Sequence, residues 1–319
     1  MESIWIDGMM GLVIGDALGL PVQFMFRSEL KANPVTTMMG YGTFNMPPGT
    51  WSDDGSMAIA TMESIKHCRG INPDDIMARF IDWTVNGAYT PAGMAFDQGN
   101  TCMEGIRNYM VNMDYKTCGK QGERANGNGA LMRIMPVCLY GYEKLKSREM
   151  TLEEVIDHVH LVSALTHNHI RSKMACGIYY FLVAAVLDEK GSLNERLQKG
   201  MDNAKRFYKK EEENLATWTF YERMEDLEEF AKTPESRIKS SGYVVDSLEA
   251  AVWSLINTTS FEMALIVAVN LGEDTDTVGA IAGGLAGLYY GYDNVPLQWK
   301  ETIVRGDEIV GWCGEMCGK

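Results

Sequence analysis

Apolar positions recur three and four residues apart along nearly the whole chain, and alternating apolar–polar runs are scarce. The pattern therefore predicts helices and almost no strand. It places helices near 3–19, 54–68, 73–86, 99–112, 128–140, 151–165, 169–189, 193–209, 212–231, 244–256, 261–271, 276–290 and 297–312. Several starts carry their own signals. Thr151 with Glu154, and Ser192 with Glu195, have capping-box spacing, in which hydroxyl and carboxylate each satisfy the other's backbone N–H. Asn72 before Pro73 is a cap followed by a first-turn proline. Segments 27–50 and 232–243, with Gly, Pro or Ser, read as loops. The stretch 211–230 sets eight acidic residues among aromatics and reads as an amphipathic helix with a solvated face. No linker or fixed-period repeat divides the chain, which predicts one all-α domain over 1–319.

Composition narrows the partners. With 319 residues, 46% of them hydrophobic, a large core can form. The balance of 29 basic against 43 acidic residues, net −14, with no basic stretch, excludes a nucleic-acid backbone or an anionic membrane as partner. It suits a protein that holds divalent cations. The longest apolar run, Ile178 to Leu187, is about ten residues, half of what a membrane span needs. Seven cysteines at 68, 102, 118, 138, 176, 313 and 317 show no disulfide framework, and no signal-peptide pattern opens the chain, so a reducing cytoplasm is expected. Cys313 and Cys317, one helical turn apart, read as residues of a terminal helix, because no second ligand pair accompanies them.

Four segments carry candidate chemistry. In Gly272-Glu273-Asp274-Thr275-Asp276-Thr277-Val278-Gly279, three carboxylates and two hydroxyls crowd ahead of a helix. Asp disfavours helix interiors, so the cluster is a cap, a cation site or both; a cap needs only one such residue, and a divalent cation would relieve the self-repulsion of the rest. Gly279, Gly283 and Gly287 then recur every fourth residue, each costing about 1 kcal/mol in helix propensity, which predicts close approach of a neighbouring helix. Thr50-Trp51-Ser52-Asp53-Asp54-Gly55-Ser56 opens a second helix. Two adjacent carboxylates there would answer the helix dipole alone, but two acidic helix starts from distant segments are what a two-metal site needs. In Asn126-Gly127-Asn128-Gly129 through Arg133, a glycine turn feeding a helix is either an ordinary turn or a phosphate seat at the helix N-terminus. Finally, His167 and His169 follow His158 and His160, but His-x-His does not fall on one helix face, so capping or ligand hydrogen bonding is favoured over zinc.

Read in order, Gly15-Asp16-Ala17-Leu18-Gly19, Ser52-Asp53-Asp54, Phe96-Asp97-Gln98-Gly99-Asn100-Thr101, Gly127-Asn128-Gly129 through Arg133, Thr166-His167 and Asp274-Thr275-Asp276-Thr277-Val278-Gly279 resemble the ADP-ribosylglycohydrolase family, which includes the enzyme that reactivates ADP-ribosylated dinitrogenase reductase. The match runs from about Gly8 to Gly291. The resemblance implies an all-α, orthogonal multi-helix domain with two Mg²⁺ or Mn²⁺ ions in a cleft. It makes Ser52, Asp53 and Asp54 ligands from one side and Asp274, Asp276 and Thr277 ligands from the other. Asp97 would sit near the reacting ribose as the catalytic group, with capping of the next helix as its alternative. Gly127, Asn128, Gly129 and Met132 would cradle the diphosphate or adenosine part, and His167 would be a further ADP-ribose contact. One departure stands out. Relatives often carry Glu where this chain has Gln23, in Pro21-Val22-Gln23-Phe24, and a Gln cannot act as a carboxylate.

The implied reaction is hydrolysis of the glycosidic bond between ADP-ribose and a modified side chain, arginine-linked favoured over serine-linked, through an oxocarbenium-like transition state. The substrate would be an ADP-ribosylated protein or small molecule. Two other readings are a binding relative that has lost turnover and a hydrolase of a free ADP-ribosylated metabolite. A helical Mg²⁺ enzyme acting on isoprenyl diphosphates fails on spacing, because Asp53-Asp54 has no carboxylate one turn later.

Overall fold

The computed structural model describes residues 4–188 and 190–316. Among them are sixteen α-helices and no strand: α1 (Ile4–Gly19), α2 (Arg27–Ala32), α3 (Asp53–Cys68), α4 (Pro73–Asn86), α5 (Asn100–Asn112), α6 (Met135–Lys146), α7 (Leu152–Ala164) and α8 (Ile170–Asp188), then α9 (Leu193–Tyr208), α10 (Glu212–Trp218), α11 (Leu227–Ala231), α12 (Val244–Ile256), α13 (Phe261–Asn270), α14 (Thr275–Tyr290), α15 (Leu297–Thr302) and α16 (Gly306–Met316). The all-α expectation holds. The capping boxes form as their spacing predicts: Glu154 accepts from the Thr151 N–H at 2.7 Å while Thr151 accepts from the Glu154 N–H at 3.2 Å, and Ser192 with Glu195 repeats the arrangement.

Four boundaries differ from the sequence reading, each for a local reason. The helix expected over 128–140 starts only at Met135, where Pro136 fits the first turn and cannot extend the helix backwards. The helix expected over 212–231 is cut into α10, a 3₁₀ segment Thr219–Met224 and α11, because the Asp226 carboxylate accepts from the Glu229 N–H and so starts a new helix. The one expected over 297–312 breaks between α15 and α16, where Arg305 takes a left-handed φ of 59°. Within the loop expected at 27–50, α2 forms instead. The Glu29 carboxylate accepts from the Phe26 N–H at 2.7 Å, the half of a capping box that remains when the cap position has no hydroxyl.

The core is organised by a glycine seam. α1 and α14 run antiparallel with their backbones in contact: a Cβ on Gly15 would strike the Gly279 carbonyl, on Gly283 the Gly11 carbonyl, and on Gly287 the Asp7 carbonyl. This is the close approach that the Gly279, Gly283 and Gly287 spacing predicts, and α1 is the partner. The C-terminal end of α1 thereby meets the N-terminal end of α14, with Gly19 against Thr275 and Asp276.

The expectation about apolar length needs correction. Ile4–Val22 and Ile170–Asp188 are each 19 residues with mean hydropathy 1.3 and 1.4, long and apolar enough to cross a membrane by length and composition. Both windows are mostly buried inside the fold, at 83% and 78%, which is the surrounding of core helices. Cys68, Cys102, Cys118, Cys138 and Cys176 are free thiols; Cys317 lies outside the described residues, so its pairing with Cys313 is not described.

Candidate active site

Asp16 in α1 organises the start of α3. It is fully buried, and its two carboxylate oxygens each accept from the Ser52 N–H at 2.9 Å; one also accepts from the Gly55 N–H at 2.9 Å. An anion from the neighbouring helix thus answers the orphan donors and positive end of α3. Ser52 is the N-cap, and its hydroxyl donates to Asp54 at 3.0 Å. The start of α14 is built differently. Asp274 holds the cap position without a side-chain cap bond; its carboxylate accepts instead from the Asn128 amide at 2.6 Å and the Gln23 amide at 3.4 Å. Asp276 accepts from the Thr277 N–H at 2.8 Å through one oxygen.

The two acidic helix starts converge. Carboxylate oxygens of Asp16, Asp54 and Asp276 lie within 4.8 Å of one another, all buried. Burial raises the Asp16 carboxyl to about 7. Burial, reinforced by the charges of neighbouring aspartates, holds Asp53, Asp54 and Asp276 well above the usual carboxylate range. Among the described residues, no Lys or Arg forms an ion pair with any of these groups. One oxygen of Asp54 and one of Asp276 are buried without a hydrogen-bond partner. Buried carboxylates without cations, with orphaned oxygens facing an all-oxygen cluster, fit a hard divalent cation.

Above this floor opens a cleft of about 230 Å³. Asp53, Asp97, Asp274 and Thr277 line it, together with Gln23, Gly127, Asn128, Gly129, Met132 and His167. Ser52, Asp54 and Asp276 do not reach its surface; they lie buried beneath, beside Asp16. Asp97 takes a left-handed φ of 51° and lies close to Gln23 and Asp276. Burial raises its carboxyl. The helix after it is capped at Gly99 with no side-chain bond, so the capping alternative for Asp97 is not found.

The Gly127–Gly129 turn differs from a phosphate seat at a helix end, because residues 129–133 are turns and the helix begins only at Met135. The turn is pinned by its backbone: Asn128 N–H donates to the Gly242 carbonyl and Val244 N–H to the Asn126 carbonyl, both at 3.0 Å. His167 backs it, with a Cβ on Gly129 lying 3.0 Å from its ring. Burial first, then the nearby Arg133 and Lys120 charges, lower its pKa to about 3, so the ring is neutral. We assign its tautomer from a chain of donors. Buried Arg133 donates to the Thr166 hydroxyl at 2.8 Å, and with the Thr166 O–H assigned as donor to His167 Nδ1 at 2.9 Å, the ring carries its proton on Nε2, towards the turn. The four histidines do not gather: His160 bonds Tyr208 at 2.7 Å, away from His167.

Asp16, Phe24 and Arg133 have no role in the sequence reading, although Asp16 and Arg133 stand inside its motifs. The available signal is a charged residue within an apolar helical run, which needs a partner to be buried.

The ADP-ribosylglycohydrolase family model matches residues 5–318. The chain belongs to the ADP-ribosylglycohydrolase family. It is a glycohydrolase. Its similarity extends to curated members: it is 29% identical to ADP-ribosylarginine hydrolase Tri1 of Serratia proteamaculans, over 94% of this chain and 75% of that one. It is 30% identical to ADP-ribosyl-[dinitrogen reductase] glycohydrolase of Rhodospirillum rubrum, over 93% and 89%. A solved structure described as an ADP-ribosylglycohydrolase-related protein complex superimposes with a TM-score of 0.78 at 28% identity, covering 98% of this chain and 96% of that one.

Proposed function

We propose that residues 1–319 form one domain that hydrolyses the N-glycosidic bond between ADP-ribose and an arginine side chain, with serine-linked ADP-ribose a poorer substrate. The observation that carries this reading is one cleft in which Asp97 lies beside Gln23 and the buried aspartate cluster and shares the lining with the Gly127–Gly129 turn. Relatives named for arginine-linked and dinitrogen-reductase-linked ADP-ribose support the substrate class.

The reacting centre becomes an oxocarbenium ion, so the carboxylates around it stabilise developing positive charge. Asp97 takes the proton of the attacking water. The Gly127–Gly129 backbone, Met132 and the His167 Nε2–H hold the nucleotide part, and this remote binding energy fixes the ribose over the carboxylates. Ser52, Asp53, Asp54, Asp274, Asp276 and Thr277 would hold two Mg²⁺ or Mn²⁺ ions, with Asp16 beside them, and bound ions would supply Lewis acidity and a water of lowered pKa. An arginine-linked substrate carries its positive charge before the bond breaks and leaves as neutral guanidine. A serine-linked one must leave as an alkoxide unless an acid protonates it, and Gln23 offers no such acid.

The test is hydrolysis of defined arginine- and serine-linked ADP-ribosyl peptides with and without chelator. Faster release from arginine, lost in chelator, is the expected outcome; no release from either peptide with metal supplied overturns the hydrolase reading.

A further inference from the structure

A second cavity lies beside the cleft, and Phe24 lines both. It measures about 280 Å³ and is lined by Phe24, Ser241, Gly242, Glu273 and Asp274. Phe24 and Asp274 line both cavities, so this side pocket adjoins the carboxylates, while Gly127, Met132 and His167 line the cleft and not the side pocket.

Its chemistry is one-sided. The lining offers two carboxylates, one aromatic ring and the backbone and hydroxyl of Ser241–Gly242, and no Lys or Arg. The Ser241 hydroxyl already donates to Asp246 at 2.7 Å. Arg27, the basic residue nearest Phe24 in sequence, is used up on carbonyls: it donates to Leu271 at 2.7 Å, to Ile238 at 2.6 Å, and to Glu235. Such a pocket repels a diphosphate and favours a ligand that is cationic, planar and rich in donors.

The ring is held there at a conformational cost. Phe24 is 63% exposed with φ 68°, and Glu273, across from it, has φ 64°. Left-handed backbone is uncommon for residues other than Gly, Asn and Asp and persists only where the surroundings impose it. Here two reciprocal bonds impose it: Phe24 N–H to the Glu273 carbonyl at 2.6 Å and Glu273 N–H to the Met25 carbonyl at 2.8 Å. Phe44 packs against the ring with centroids 6.3 Å apart, and Phe96 in turn packs against Phe44 at 5.6 Å. An exposed aromatic fixed in this way, beside an exposed carboxylate and next to the reacting centre, is a surface prepared for contact.

We propose that this side pocket is a guanidinium subsite, in which the Phe24 face and the Glu273 carboxylate receive the arginine side chain that carries ADP-ribose. The proposal rests on the reading of the reaction given above, but it concerns the other half of the substrate. Phe24 and Glu273 would set specificity and act on binding of the leaving side chain, while the nucleotide part is held elsewhere.

The deciding measurement is a titration of agmatine, a guanidinium cation without ADP-ribose, into the metal-loaded protein saturated with ADP-ribose. It is run on the parent, Phe24→Leu, Phe24→Tyr and Glu273→Gln. Leucine keeps an apolar side chain without the π face, tyrosine keeps the face, and glutamine removes only the charge. Saturable agmatine binding in the parent is expected, weakened about three- to thirtyfold by Phe24→Leu and by Glu273→Gln and retained by Phe24→Tyr. Affinity for ADP-ribose should stay within about twofold in all four, which also shows that each is folded. In turnover, the same variants should raise KM for an arginine-linked peptide and leave kcat and the serine-linked KM nearly unchanged. No saturable agmatine binding in the parent, or equal binding in all four proteins, overturns the subsite. If agmatine binding depends on Phe24 but the parent cleaves no arginine-linked peptide, the subsite stands and the proposed reaction fails.

Discussion

The floor of the site and its mouth are built by opposite rules. The floor consists of the ends of regular helices, α1, α3 and α14, locked by the glycine seam and by Asp16 bonding across to α3. Its backbone is helical and its side chains are buried carboxylates with neither cations nor enough donors. The mouth consists of loops, and three of its residues, Phe24, Asp97 and Glu273, have left-handed backbone. Its polar groups bond to one another, as Gln23 and Asn128 do to Asp274. The floor stores electrostatic stress in a stiff frame, while the mouth stores backbone strain and leaves side chains free to meet a ligand. A site that must concentrate like charges needs the first arrangement; one that must recognise a substrate can use the second.

The contrast breaks most sharply at Asp276. Replacing it with Ala should abolish measurable turnover and the rise in Tm that Mg²⁺ or Mn²⁺ gives the parent, since a cation that binds only the folded state stabilises it. In chelator, Asp276→Ala should melt no lower than the parent, because it removes a buried carboxyl with an orphaned oxygen. Turnover in chelator at the parental rate would end the metal reading. Asp97→Asn tests the mouth in the same terms. Asparagine keeps the size and polarity of the side chain beside Gln23 and Asp276, so metal and ADP-ribose binding should persist while the rate falls by about two to four orders of magnitude. Parental activity would return Asp97 to a structural role.

The seam offers a smaller, purely mechanical test. A methyl group at Gly283 would strike the Gly11 carbonyl and push α1 from α14. Gly283→Ala should cost about 3 kcal/mol in urea unfolding and weaken metal-induced stabilisation, because it parts Asp16 from Asp276. Gly311→Ala in α16, where a methyl group meets nothing within 4 Å, is the control and should be neutral or slightly stabilising through helix propensity. Similar losses in both would mean that the seam carries no special packing.

The same contrast explains what is legible without coordinates. Helix periodicity, the Thr151 and Ser192 caps and the Gly279–Gly287 spacing are local signals that local physics decides, and the fold follows them. The acidic helix starts are legible because carboxylates there have few uses. The role of Asp16 is not, since it depends on Ser52 and Gly55, residues about forty positions away that only the fold brings near. The Gly127–Gly129 turn is readable but the start of its helix is not, because Pro136 outweighs the apolar period of 128–134. Phe24 gives no signal: an aromatic exposed by imposed backbone strain looks in sequence like any core residue.

The finest test of the mouth is Gln23→Glu. In this chain the Gln23 amide donates to Asp274 at 3.4 Å with Asp97 close by, so two carboxylates surround the position and an N–H₂ donor suits it. The substitution would set a third carboxylate against those two, and that repulsion favours the protonated form of the new side chain. Once protonated, the introduced carboxylic acid is a proton donor beside the breaking bond. It would help an alkoxide leave and do little for a guanidine that needs no proton. The parent should therefore release ADP-ribose faster from an arginine-linked than from a serine-linked peptide, and Gln23→Glu should narrow that ratio by up to about tenfold, mainly by raising the serine rate, well short of the full worth of a general acid. The effect is small because the new acid would share its proton with Asp97 and Asp274. Equal or faster release from serine by the parent removes the argument from Gln23. A ratio that narrows only through loss of the arginine rate would show that the new charge disturbs the floor and does not act as an acid.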